Sequence, residues 1–352
     1  PTTTAPTVNS APSTANTGSQ NQVVDNTSPS NPSPSPDAPS LPVLAPVTAS
    51  GSITADTLTN ATSNAVIIAN GNTAVQANDI SNTAKSSIAV DKIITNNQQA
   101  GNRLNNDNSR IQITGADWKL EQFSNNKGQI VSQQNFNIDS QQGVDNTAGT
   151  LASQKDITLI TQGNVNNSKG VIQAQGVAVQ GNQLDNTEGK LYAENAANLT
   201  IDGKANNTQG AISAKQDIKI ATGSLISQDR GLIRSGKALD ITVKNQLENL
   251  DNSLIAAGTH VDIKANNISQ DATSKTIAGL DQQGALSTDE YDLTISTEST
   301  QDNQGQNIAT GNLAMVGSGL KLNSATLQAN DIQLTAKDNS VNLQDSKVYA
   351  DG

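Results

Sequence analysis

From Asn146 to Ala193 the chain reads NTAGTLASQKDITLITQGNVNNSKGVIQAQGVAVQGNQLDNTEGKLYA. Three glycines in it, Gly149, Gly170 and Gly189, each close an Asn-containing tetrapeptide. The series extends to Gly128 upstream and to Gly210 and Gly231 downstream, in steps of 21, 21, 19, 21 and 21 residues. A near-constant period of this length is the signature of stacked repeats, and it decides the architecture before any local reading. The next step of 21 lands on Asn252. Asparagine is the non-glycine residue that best tolerates positive φ, so the anchor position is expected in a left-handed turn.

Apolar residues keep the same register. Two places after each anchor stands Ile130, Leu151, Ile172, Leu191, Ile212, Ile233 or Leu254. Further on comes an apolar, any, apolar triplet, such as Phe136 with Ile138, Ile157 with Leu159, Leu199 with Ile201, and Val261 with Ile263. Alternation with period two marks a strand with one face buried. A third apolar position closes most units, at Val144, Val165, Leu184, Leu225, Leu247 and Ile268, with Ala205 as its weak member. Three inward sets in about 21 residues predict three short strands per turn and leave no room for a helix. The expected fold is therefore all-β, a parallel β-helix whose strands pair with the same strand in the turns above and below. About 14 such turns from residue 55 onward would stack to roughly 65–70 Å.

Three places before the anchors stand Asn125, Asn146, Asn167, Asn186, Asn207, Gln228 and Asn249. A carboxamide carries donors and an acceptor, so identical side chains at strand spacing can bond to one another in a continuous ladder. These residues are read as structural turn elements.

Composition divides the chain into segments. All ten prolines lie at or before Pro46, and no Lys or Arg precedes Lys85. Residues 1–50 are expected to be a disordered Pro/Ser/Thr-rich linker, with a wall-spanning or glycosylated stalk as the alternative. Residues 51–124 carry apolar doublets without fixed spacing and are expected to form irregular coils. Residues 125–268 are the regular repeats. Residues 269–312 lapse into an acidic stretch, expected as a long excursion or a short strand pair around Leu293 and Ile295. Residues 313–352 resume strand signals and end without a cap. With no initiator Met and no leader, the chain is expected to be a processed or excised piece of something longer.

The same composition excludes much chemistry. There is no cysteine and one histidine, His260, so disulfides, thiolate catalysis and a His- or Cys-built metal site are not available. A net charge of −11 and 21 basic residues oppose binding to phosphate backbones, so nucleic acid is not an expected partner. The longest apolar run, Ala65 to Ala69, is far short of the roughly 18 residues of a helical span, and no membrane insertion of this segment is expected. An aromatic share of 2% and a mean hydropathy of −0.46 argue against one large conventional core.

The repeats NTAGTLASQKDITLITQG, NTEGKLYAENAANLTIDG, NTQGAISAKQDIKIATG and DNSLIAAGTHVDIKANN resemble the haemagglutinin repeats of filamentous haemagglutinin. Similar repeats occur in other two-partner-secreted proteins of Gram-negative bacteria, including contact-dependent growth inhibition effectors of the CdiA type. The resemblance covers 125–268 well, 313–352 loosely and the linker not at all. It implies a right-handed β-helix, export through an outer-membrane partner transporter, and a place on the bacterial cell surface as part of a secreted filament. It also implies a receptor on a host or neighbouring bacterial cell. Adhesins and toxin-delivery proteins share such a shaft, so the repeats do not choose between them.

Parallel β-helices also carry polysaccharide lyases and hydrolases, whose sites need clustered carboxylates on one outer face. The residues between the triplet's apolar pair include Thr200, Lys219, Asp240 and Asp262, and the two aspartates would stand on adjacent coils. This supplies the alternative reading, an extracellular polysaccharide-acting enzyme, although only four arginines exist for an acidic-sugar clamp. His260, at a corner and without a nucleophile or metal partner, is read as a surface group. Trp118 and Phe123 are read as packing a coil junction. Asp289, Glu290, Tyr291 and Asp292 form a candidate recognition loop. Its carboxylates could hold Ca²⁺ but lack the spacing of known calcium loops. The favoured expectation is a non-enzymatic shaft with no catalytic residue, cofactor or metal.

Overall fold

A computed structural model describes residues 52–68, 74–95 and 101–351, and the expected linker at 1–50 lies outside them. These residues form an all-β parallel solenoid without a helix. Sheet I has 14 strands, one for each turn, and sheet II has 22 strands. A regular turn contributes one strand to sheet I, such as Gln129–Ser132, and two to sheet II, such as Phe136–Ser140 and Gly143–Asp145. At Ala197–Asn206, Ile218–Ser227, Leu239–Asn249 and Val261–Gln270 the two sheet II strands run on as one, and the pairings between them shift register at the bend.

The interior follows from the period-two pattern. Ile130 pairs with Leu151, Leu151 with Ile172 and Ile172 with Leu191, so like residues stack on like. The turn beginning at Thr150 buries Leu151, Ile157, Leu159 and Val165 completely. Four side chains are too few to fix about 21 residues alone, so each turn depends on the hydrogen bonds and apolar contacts of its neighbours. The irregular stretch joins the same stack: Ile88 pairs with Ile111, and Ile111 with Ile130. Trp118 and Phe123 are buried within it. The Trp118 ring meets Phe136 edge-on at 5.1 Å, and its Nε1 donates to the Ile93 carbonyl at 2.9 Å.

The fold corrects three expectations from the sequence. The acidic stretch 269–312 is mostly solenoid. Lys275–Ala278 and Gln306–Ile308 lie in sheet I, Leu293–Thr297 and Gln301–Asn303 lie in sheet II, and only about 279–292 leave the stack. Leu293 and Ile295 are not a local strand pair. They stack on Val261 and Ile263 below and carry Leu313 and Met315 above. The triplet matching Ile218 and Ile220 is Ala197 with Leu199, so Asn198, not Thr200, shares a row with Lys219. Alanine's small side chain hides that position. Lastly, Ile233 pairs with Ile255, which makes Ser253 the equivalent of Gly231 and turns Leu254 outward.

Candidate functional site

Two features set this solenoid apart from a plain stack: an amide corner and the excursion. At the corner, eight asparagines form a continuous file. Asn60, Asn82, Asn106, Asn125, Asn146, Asn167 and Asn186 each donate Nδ2–H to the Oδ1 of the next, at 2.7–2.8 Å, and Asn207 ends the file. All but Asn60 are completely buried. Each Nδ2 also serves backbone carbonyls: Asn146 donates to Gly149 at 3.2 Å and to Val171, one turn on, at 3.2 Å. The amide therefore ties its own turn to the following one. Sequence spacing does not reveal Asn60, Asn82 and Asn106, because their steps of 22, 24 and 19 residues vary.

The file breaks after Asn207. Ser227, not Gln228, pairs with Asn249 and occupies the next rung. Its Oγ and the Asn249 Oδ1 are buried without a partner. Asn207 donates instead to the Leu232 carbonyl at 3.0 Å, and Asn249 to that of Lys275 at 3.1 Å.

The anchor glycines have a different role from the one their spacing suggests. The left-handed residue is the one before the anchor: Lys127, Ala148, Lys169, Glu188 and Gln209 have φ of 51–57°. Gly128, Gly149, Gly170, Gly189, Gly210 and Gly231 are absent from the positive-φ residues. What requires glycine is proximity. A Cβ on Gly149 would lie 2.1 Å from the Asn125 carbonyl oxygen of the preceding turn and 2.6 Å from Asn146 Oδ1, and the other five anchors are confined in the same way. The last two turns of the series are one residue longer, with Asp229 and Arg230 left-handed at 53° and 68° before Gly231, and Asp251 and Asn252 at 55° and 62° before Ser253. The anchor in the second becomes Ser253.

The excursion folds back over the outer face of sheet I. Leu280 and Leu286 form an antiparallel bridge, and the Ser287 N–H donates to the Gly279 carbonyl at 2.7 Å. Leu280 packs with Ala256 and Ile277 in a small second core flanked by Leu254 and Ile308. Arg234 reaches up to donate to the Asp281 carbonyl oxygen. Burial pushes the Arg234 guanidinium below its ordinary value, while the Asp281 charge opposes the shift. The return leg is also held. His260 Nδ1 accepts the Asp292 N–H at 3.0 Å, and its ring meets Tyr291 edge-on at 5.4 Å. The Thr310 hydroxyl donates to the Asp289 carbonyl at 2.7 Å, and the Asn312 N–H to the Asp292 carboxylate at 2.8 Å. Gln282 to Leu286 and Thr288 to Glu290 remain exposed. Of the four candidate loop residues, Asp289 and Glu290 face solvent, while Tyr291 and Asp292 are half-buried and engaged in closing the loop. Among the described residues no group of three His, Cys, Asp or Glu side chains stands ready for a metal ion.

Lys219, Asp240 and Asp262 do lie in one outward row on successive turns. Asp262 bonds to Lys264 at 2.5 Å, and Asp240 stands 4.0 Å from Lys219. Acid–base cleavage of a glycoside needs two carboxyls in unlike environments. These two stand side by side on a solvated face with an ammonium each.

No family model matches the chain, and no solved structure matches it. Over 88 residues the chain is 41% identical to a protein named Toxin CdiA from Yersinia pestis. That match covers 25% of this chain and 3% of the relative's length, so the matched stretch is a small part of that relative. In fold, then, this is a parallel β-solenoid, and in sequence it is similar over a quarter of its length to part of that toxin.

Proposed function

We propose that this chain is a non-enzymatic shaft segment of a secreted bacterial cell-surface filament, an adhesin or a contact-dependent inhibition effector, that holds binding or toxin elements away from the cell. The parent protein would be exported through an outer-membrane partner transporter and meet a receptor on a host or neighbouring bacterial cell. The observation that carries this reading is the parallel register that joins the described strands from Ser52 to Ala350, in which each successive turn adds length to the stack. The partial likeness to Toxin CdiA supports the extracellular setting. Recognition within the segment falls to the excursion, because a corner can lengthen without disturbing the ladders. From 276 to 320 there is no Lys or Arg, while Asp281, Asp289, Glu290, Asp292, Glu298 and Asp302 occur there, so a receptor surface rich in Lys and Arg is the complement.

A shaft tolerates the loss of one whole unit. Deleting 146–166 in the parent protein places Asn167 directly after Asp145 and keeps every ladder in register. Surface display and delivery by the distal elements are expected to persist. Loss of delivery as complete as that of a full deletion, with the variant still displayed, would end the shaft reading. Replacing 280–291 by a tight turn is expected to reduce target-cell attachment. Unchanged attachment removes the loop from the proposal. New reducing or unsaturated ends after incubation with acidic or neutral glycans would favour the polysaccharide-acting alternative, using Asp240 and Asp262.

A further inference from the structure

The interior of the solenoid is apolar along its main rows until one place. In sheet I, Ile255 is followed in register by Thr276, then Asn307, and only then by Leu327. In the interior row of the third strand, Ile268 is succeeded by Gln301, which pairs with Leu320. Thr276, Gln301 and Asn307 are all completely buried. The sheet I row turns polar at Thr276, just before the excursion, and both rows are polar at Gln301 and Asn307, where the chain has re-entered the stack.

The hydrogen bonds of these groups are mostly local. Asn303 and Asn307 donate to each other at 3.1 and 2.9 Å, and Thr276 donates to Gln270 Oε1 at 2.8 Å. Gln301 Nε2 donates to the Ile295 carbonyl at 3.1 Å and reaches the next turn only at the Val316 carbonyl, at 2.7 Å. Its Oε1 is buried without a partner. The corner, whose file ended at Asn207, supplies no tie here either, since Asn303 bonds sideways and the position above it is Leu322. Two interior rows thus turn polar at the same height, at a corner that adds no side-chain hydrogen bond to the following turn.

We propose that this turn is a seam dividing the stack into two cooperative blocks, so that the turns from Gln306 onward open together while those before Gln270 stay closed. In a stack whose stability is a sum of turns and nearest-neighbour interfaces, the weakest interface sets where it parts. Sub-global opening then follows that boundary.

Hydrogen exchange on the full chain, read by mass spectrometry, tests the seam. Amides of 313–329 are expected to exchange as a group, with protection at least ten-fold below that of amides of 239–268, and with a step at 275–303. Q301L and N307L, which extend the aliphatic rows, are each expected to shrink that step at least ten-fold. A smooth decline toward residue 351, as simple end-fraying gives, overturns the proposal. So does equal protection on the two sides, or a step that survives both substitutions unchanged. Should neither variant fold, the profile of the unsubstituted chain decides alone.

Discussion

Asn146→Ala removes one rung from the middle of the amide file, and its cost can be worked from the hydrogen bonds it deletes. Asn146 accepts from Asn125 at 2.7 Å and donates to Asn167 at 2.7 Å. With the carboxamide gone, Asn167 Oδ1 loses its donor in a completely buried position, while the Asn125 amide keeps the Gly128 and Thr150 carbonyls at 3.3 and 3.1 Å. A buried polar group left without a partner costs about 1–3 kcal/mol, and one such group is left here. Water entering the space left by the side chain would bring the loss toward the low end. At about 1.4 kcal/mol per factor of ten, even that end means roughly a five-fold rise in local opening. Amide exchange in strands Gln129–Ser132, Thr150–Ser153 and Val171–Ala174 is the assay, because these strands flank the altered rung. Protection within two-fold of the unsubstituted chain would show that the file contributes no free energy and that asparagine merely fills the corner.

The break in the file gives the reciprocal expectation. Ser227→Asn supplies the missing carboxamide between Asn207 and Asn249 and should raise the urea midpoint, corresponding to about 0.5–1.5 kcal/mol of added stability per hydrogen bond gained; a lowered midpoint would mean that the longer turn there cannot seat an amide. Gly149→Ala should destabilise strongly, since a Cβ would fall 2.1 Å from the Asn125 carbonyl, whereas Ala148→Gly should stabilise by up to about 1 kcal/mol by relieving a residue at φ 51°. Comparable effects from the two would contradict the division of roles in the turn. Asp271 is desolvated, which raises its pKa, but hydrogen bonds from Asp251, Ser274 and Thr273 outweigh this and hold it below the ordinary value. Its contribution is therefore present above the unfolded carboxylate pKa, near 3.9, and is lost as pH falls through the folded one. Asp271→Asn should accordingly narrow the gap between urea midpoints at pH 7 and pH 3, and an unchanged gap would remove Asp271 from the acid sensitivity.

The fold is legible in the sequence because stacking forces repetition, and repetition is visible wherever residues are large and the step is constant. Leu151 and Ile172 announce an interior row on their own. Ala197 does the same work with a single methyl group, and Ile201, itself an inward residue further along the strand, draws the pattern away from it. Glycine spacing locates the corner but not its mechanism, since a glycine needed for close approach and one needed for positive φ look alike in sequence. An extra residue at the bend of Leu239–Asn249, where Thr222 pairs with Val243 but Leu225 with Leu247, displaces one register by a residue. Gln301 and Asn307 are invisible for the opposite reason. Polar residues at inward positions contradict the pattern that identifies such positions, and only pairing with Ile268 and Thr276 reveals where they stand.

The excursion shows how a stack accommodates something that is not a repeat. Its support is written into three earlier turns. Arg234 replaces the small outward residue Ser213 of the turn before and holds the Asp281 carbonyl. Leu254 points outward, and Ala256 and Ile277 form the bed on which Leu280 lies. Gln282 lies over Gly236, a residue kept small first by the Lys215 carbonyl, which would stand 2.2 Å from a Cβ placed there. None of these residues breaks a ladder. Each alters only the outer face, where a solenoid can change without cost to its interior. The polar interior lies immediately beyond, at the first turn completed after the loop. A chain that detours through 279–292 must close a longer connection before that turn can form, and closing it costs more entropy than a tight corner does. The loop and the weak interface are thus two consequences of one insertion: the excursion occupies the outside of the stack, and the turn that readmits the chain is the least tightly bound to its successor.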